Sequence, residues 1–332
     1  MGKKIKKLTV IGVILAIIII SSIGIGYYCV LTPNTNVQDD GIIYIPSGSS
    51  VSQVFDTLQK HGYVKNALTL NITAKLKRFK KQVKPGRYKI NNAINNNELI
   101  NQLRSGNQQP VYFTFNNMRT LEEFAEEAQE KLGTSKEELL ALLKDPDVIA
   151  NLGFNSNTII ALFIPNTYQI YWNIQPLELL KRMKKEYNRF WNEKRMAKAR
   201  EIGLSPEEVI TLASIIEEET VKTEEYPVIA GVYMNRLKRG IKLDACPTLK
   251  YALGDFTINR ILDRYLKIDS PYNTYMYAGL PPGPIRMASI QVIDSVLNYQ
   301  KHDYLYFCAK SDFSGYHNFS KTLRQHNNYA RE

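Results

Sequence analysis

The stretch Ser205–Thr220, SPEEVITLASIIEEET, drives an apolar segment straight into three consecutive glutamates. Ser205 with Glu208 three residues later is a capping-box pattern, and Pro206 takes the first helical position, so a helix start is well specified. Register follows from it. Counting about 100° per residue from Val209, the apolar face centres between Val209 and Ala213. On that wheel Glu217 falls at about 80°, just inside the apolar arc, Glu218 at about 180° and Glu219 at about −80°. Glu218 is expected to face solvent. Glu217 has aliphatic neighbours one turn back, and a carboxyl there loses hydration, which disfavours its charged form and suits it to act as a general acid. An acidic helix end merging into a solvated face fits the same pattern.

Around this helix the chain reads as mainly helical. TLEEFAEEAQEKLG, SKEELLALLKD, the long PLELLKRMKKEYNRFWNEKRMAKAREIG and YPVIAGVYMNRLKRG each carry an apolar stripe and end near glycine, aspartate or a basic cluster. From Leu243 onward loops and tyrosine-rich turns are expected, with YLYFCAK as a strand. Residues 44–106 have a different rhythm. IIYIP is β-like; Val51, Val54, Phe55 and Leu58 recur at helical spacing; Asn66–Phe79 reads as a second helix; KPGRYKI reads as a turn into a strand; and NNNELINQLRSG reads as a capped helix ending at Gly106. QPVYFTF follows as another strand. The fold class is α+β: a small module over 44–106 and a mainly helical domain with a small β portion over 107–332.

The N-terminus opens MGKKIKK, and Leu8–Leu31 then runs 24 residues without a charge. About 20 apolar residues cross a bilayer. Lys3, Lys4, Lys6 and Lys7 predict that residues 1–7 stay cytoplasmic and that 8–31 span the inner membrane once, leaving the rest on the external side. The run is longer than a signal-peptide core of about 7–15 residues, no small-x-small cleavage site follows it, and bulky Tyr27 and Tyr28 before Cys29 disfavour lipoprotein processing. Residues 32–43, rich in proline, asparagine and aspartate, read as a linker.

With 43 Lys and Arg against 32 Asp and Glu, the formal charge is +11. Such a balance suits a polyanionic partner. External placement and the lack of zinc-finger spacing or an arginine–aromatic cluster argue against nucleic acid. HExxH, CxxC, GxSxG, SxxK and P-loop patterns are all missing, so the sequence signals no metal, cofactor or nucleotide. Spacing leaves open whether Cys246 and Cys308 pair.

At LASIIEEET, YPVIAGVYMNRL, CPTLKYALG, SPYNTYMYAGLPPGPI and YLYFCAKSDFSGYHNFSKTLRQHN the chain resembles the YceG-like (MltG) family of endolytic murein transglycosylases. The resemblance implies a LysM-like module over 44–106, a catalytic domain over 107–332, and cleavage of the β-1,4 bond between N-acetylmuramic acid and N-acetylglucosamine in nascent peptidoglycan strands, leaving 1,6-anhydromuramyl ends. It implies Glu217, the first glutamate of the E-x-E-T element, as catalytic acid and base, with Glu219 tuning it or bonding nearby backbone. Thr248, Tyr272, Asn273, Thr274, Tyr275, Arg236 and His317 match family positions that support the site or contact substrate, and GLPPGPI would shape the groove wall. Peptidoglycan synthases are the implied partners.

Three positions depart from the family pattern. Cys246 stands where aspartate before Pro-Thr is common, Asn166 replaces the aspartate of Pro-Asp-Thr-Tyr, and FNNMRT lacks the usual Pro-Glu-Gly. Two other functions fit parts of the chain. A muramidase-type hydrolase using water would need a second carboxylate, such as Asp244, Asp255 or Asp263. A wall-binding tether would need no catalytic carboxyl at all.

Overall fold

A computed structural model describes residues 2–79, 83–258 and 261–331. In the expected cytoplasmic tail, Met1 and the side chains of Lys3 and Lys4 lie outside the described residues. The first element, α1 (Gly2–Leu31), is one continuous helix through the lysines and the apolar run. Its portion Lys6–Leu31 is long and apolar enough to cross a membrane.

There follow β1 (Ile42–Ile45), α2 (Val51–Lys60), α3 (Ala67–Leu76), β2 (Gly86–Lys89), α4 (Asn96–Ser105) and β3 (Val111–Phe115). Then come α5 (Leu121–Leu132), α6 (Lys136–Lys144), α7 (Pro146–Asn151), β4 (Asn166–Ile170), α8 (Pro176–Phe190), α9 (Glu193–Ile202), α10 (Pro206–Glu219) and α11 (Tyr226–Lys238). The chain closes with α12 (Cys246–Leu253), α13 (Ile290–Leu297), β5 (Tyr306–Ala309), β6 (His317–Ser320) and α14 (Leu323–Tyr329). The strands pair as three separate two-stranded sheets, β1 with β2, β3 with β4 and β5 with β6. Two compact units result, residues 1–112 with 169–174, and residues 113–168 with 175–332.

The smaller unit is built on a β-α-α-β unit. β1 and β2 pair antiparallel with Ile43 opposite Tyr88, and alternation along β1 turns Ile43 and Ile45 onto Val54, Phe55, Leu58, Leu99 and Leu103 from the helices. Ser50, Asn66 and Asn95 cap α2, α3 and α4 with their side chains. Segment 32–43, expected to be a linker, is ordered into this unit. Asn34 is buried and bonds the amide and carbonyl of Asn66 and the side chain of Asn96, and Thr35 is fully buried. Asparagine-rich composition reads as a tether locally; partners some 30 to 60 positions away decide otherwise.

In the larger unit α10 is central. Every residue from Val209 to Ile216 is buried, and α9, α11, α12 and α13 pack around it. The capping box forms as read: the Ser205 hydroxyl accepts from the Glu208 amide at 3.2 Å, and the Glu208 carboxylate accepts from the Ser205 amide at 2.7 Å. The long helix expected from Pro176 is two helices. The break at Trp191–Asn192 occurs where Phe190 and Trp191 turn inward and Asn192 caps α9 through the amide of Arg195. Beyond Leu243, where loops were expected, α12, α13 and α14 form, each of seven or eight residues. Helices that short depend on packing more than propensity.

Candidate active site

The three glutamates that end α10 meet three different environments. Glu217 accepts a hydrogen bond from the backbone N–H of Ser289, the residue that starts α13, at 3.1 Å. Glu218, expected to face solvent, is instead bracketed by two guanidinium groups. Arg119 reaches it with two bonds, at 3.1 and 3.0 Å, Arg286 closes the other side, and the Glu218 side chain is 17% exposed. Glu219 accepts from the buried Tyr233 hydroxyl at 2.7 Å and lines a cavity of about 370 Å³. A wheel with a single apolar face misplaces Glu218 because α10 is enclosed from Val209 to Ile216 and two guanidinium groups close over the position beyond.

Around Glu219 the cavity wall is built from α11, the stretch leading into the start of α12, the YNTY turn, α14 and strand β5. Tyr233 and Arg236 come from α11, Leu243, Asp244 and Cys246 from the following stretch, Tyr275 from the YNTY turn, Tyr306 and Phe307 from β5, and Leu323 and His326 from α14. Burial pushes the Glu219 carboxyl up to about 6, although the Tyr233 hydrogen bond and the charges of His317 and Lys250 pull the other way. Tyr233 and Tyr275 are both held well above the ordinary phenol range, chiefly by burial. They therefore remain hydroxyl donors at neutral pH. Cys246 Sγ lies 3.1 Å from the Tyr275 hydroxyl, and burial raises its thiol too.

The residues singled out from the sequence divide into those in the cavity and those behind it. Arg236 lines the wall but its donors are committed: to the carbonyls of Leu305, Lys242 and Leu243 and, at 2.9 Å, to the Asp244 carboxylate. Thr248 and Thr274 are buried and bond each other at 2.9 Å, and the Thr274 hydroxyl also accepts from the Ala245 amide, which pins the segment carrying Cys246. Asn273 is fully buried; its amide donates to the carbonyls of Leu266 and Ile268, and its oxygen accepts from the Tyr275 amide. Together these set Tyr275. Tyr272 lies away from the cavity lining, tilted against Tyr251 with ring centroids 4.6 Å apart.

His317 packs one element further out. Its Nδ1 is 2.8 Å from the buried Glu225 carboxylate, whose other oxygen accepts from the His317 amide at 2.9 Å. The GLPPGPI loop does not line the Glu219 cavity. Ile285 donates its amide to Ser214 on α10, and a Cβ at Gly283 would come within 1.9 Å of the Asn157 carbonyl, so glycine is required there for close approach. Asn166, at the start of β4, bonds the amide of Thr167 and takes no part in the cavity. Among the described residues, no group of His, Cys, Asp and Glu is arranged to hold a metal ion.

Sequence reasoning missed Tyr233, Tyr306, Phe307 and His326. The first sits inside YPVIAGVYMNRL as one apolar-stripe aromatic among several. His326 comes from α14, which was read as loop; its ring stacks on Tyr306, and its Nδ1 is buried without a hydrogen-bond partner. Nothing in the local pattern distinguishes either residue.

The sequence profile of the YceG-like family matches residues 43–332. An endolytic murein transglycosylase of Bacillus subtilis is 34% identical over 301 residues, covering 86% of this chain and 82% of that protein. One from Streptococcus pneumoniae serotype 2 is 31% identical over 299 residues, 80% of this chain and 53% of that longer protein. A crystal structure of a yceG-like protein from Listeria monocytogenes superposes with a TM-score of 0.56 at 27% identity, over 86% of this chain and 98% of that one.

Proposed function

Because the chain belongs to the YceG-like family, we propose that it is a membrane-anchored lytic transglycosylase that cuts murein glycan strands within their length, with Glu219 as its acid and base. The observation that carries the assignment is the half-buried carboxyl of Glu219 at the wall of a cavity in the larger unit, where desolvation raises it to about 6. Relatives named endolytic murein transglycosylases supply the substrate class. In the sequence, the helical wheel and the family resemblance both pointed to Glu217. Its Ser289 hydrogen bond and its place outside the cavity lining suit it better to holding α13.

Protonated Glu219 donates to the oxygen bridging the muramyl C1 and the next sugar, and that bond breaks as positive charge builds at C1. The resulting carboxylate takes the proton of the muramyl C6 hydroxyl as its oxygen bonds C1, leaving a 1,6-anhydro end and a free 4-hydroxyl. No water enters, so one carboxyl suffices, unlike the paired acids of most glycoside hydrolases. Tyr275 and Tyr233 provide hydroxyl donors beside it, and aromatic Tyr306 and Phe307 offer faces for sugar rings. The lysines at the start of α1, ahead of its apolar run, keep the N-terminus cytoplasmic and the cavity external. The β-α-α-β module is read as LysM-like, and strand-making synthases are the expected company.

A hydrolytic reading finds one supporting feature, Asp244 in the same wall. Its carboxylate is engaged by Arg236, which disfavours it as a base. Digestion of purified sacculi followed by mass spectrometry separates the readings. Anhydromuramyl ends, lost in Glu219→Gln, are the expected result; reducing ends would establish hydrolysis, and full activity in Glu219→Gln would overturn the assignment.

A further inference from the structure

The outer face of α3 takes no part in the cavity chemistry. Leu68 and Leu76 are 69% and 62% exposed, and Ile72 between them is half-buried. Spaced four residues apart, the three share one face of the helix. Lys65, Lys75 and Arg78 are exposed around that face. Residues 57–97 contain ten Lys and Arg and not one Asp or Glu.

The buried side of α3, through Thr69, Thr73 and Ala74, holds the end of α1. The Cys29 carbonyl accepts from the Thr73 hydroxyl on α3 at 2.9 Å and from the Asn96 amide on α4 at 2.7 Å, and Cys29 itself is buried. From Leu8 to Cys29 a helix rises about 32 Å, close to the roughly 30 Å of a bilayer's hydrocarbon core. A spanning α1 is therefore clamped to α3 at the level where it meets the headgroups. Tyr27 and Tyr28, both exposed on α1, occupy that same level, as interfacial tyrosines do.

We propose that the Leu68–Ile72–Leu76 face of α3 docks onto the outer surface of the bilayer that α1 crosses, with its leucines at the acyl boundary and its basic flank among anionic lipid phosphates. The inference rests on α1 being a membrane span. The charge of the flank, the apolar stripe and the rigid joint to α1 all select a lipid surface. The smaller unit then lies on the membrane and does not swing from a tether.

Full-length protein carrying Leu76→Trp, reconstituted in nanodiscs of phosphatidylglycerol with brominated acyl chains, tests this. The emission added by the new tryptophan should fall at least about twofold against unbrominated discs, because bromine quenches at contact depth. Quenching should weaken in phosphatidylcholine discs and when Leu68→Glu is added. Unquenched emission from protein that has entered the discs overturns the docking and leaves the anchor intact. Failure to enter discs or float with vesicles overturns the anchor and the docking together. Emission that responds to added sacculi and not to brominated lipid assigns the face to wall glycan and also overturns the proposal.

Discussion

Glu217 and Glu219 leave the last turn of α10 two residues apart and enter opposite surroundings. On one flank the start of α13 presents a backbone N–H to Glu217 at 3.1 Å. On the other, α11, β5 and α14 close over Glu219 and leave it a single phenol and a cavity, a setting that favours the carboxylic acid. The same residue type on the same helix thus meets a backbone donor on one side and a phenol-lined cavity on the other, and the proposed function gives the chemistry to the second. What separates them is the neighbours that tertiary packing brings, since the local sequence of the two is nearly the same.

Substitutions can break that contrast. The largest effect expected is the loss of anhydromuramyl release in Glu219→Gln, on the order of a thousandfold, with Glu217→Gln retaining activity within about tenfold; product quantification on sacculi ranks them, and the reverse order would return the chemistry to Glu217. Glu218, between the flanks, holds Arg119 and Arg286 together, and Arg286 is largely buried. Glu218→Gln should cost about 2 kcal/mol of unfolding free energy, less than for a fully buried pair because the site is partly open. An unchanged urea midpoint would show the bracket to be dispensable.

Smaller effects sharpen the comparison. Glu217→Gln should lower stability by about 1 kcal/mol through the weakened start of α13, whereas Glu219→Gln should not, since burial already disfavours the charge that the amide removes. The pH profile gives the finest measure. With Glu219 at about 6, the protonated form is lost as pH rises past that value, so kcat/KM should fall on the alkaline side near pH 6. Tyr233 bonds the carboxylate and lowers its pKa; Tyr233→Phe removes that bond, so the alkaline limb should move upward. A limb that stays in place would detach the profile from Glu219.

Much of the local structure could be read from residues in sequence order. Ser205, Glu208 and Pro206 specify the start of α10, Asn95 and Gly106 bound α4, and Thr120 and Gly133 bound α5, because caps act between positions three or four apart. The site was legible as a region and not as a residue. LASIIEEET, YNTY and YLYF all contribute to it or support it, yet the wheel favours Glu217 whereas the cavity is lined by Glu219. Periodicity assumes that one face of a helix is wet. In α10 none is, from Val209 to Ile216.

The chain by itself determined that α1 is long and apolar enough to cross a membrane, the α+β class, the caps, and the gathering of glutamates at one helix end, since these follow from hydropathy and neighbours along the backbone. Tertiary structure alone decided that burial raises the Glu219 carboxyl, that Arg236 and Asn273 brace the wall, that His326 reaches the cavity, and that Thr73 and Asn96 lock the end of α1 to its module. Those outcomes depend on desolvation and on hydrogen bonds between residues tens of positions apart, quantities that no local pattern encodes.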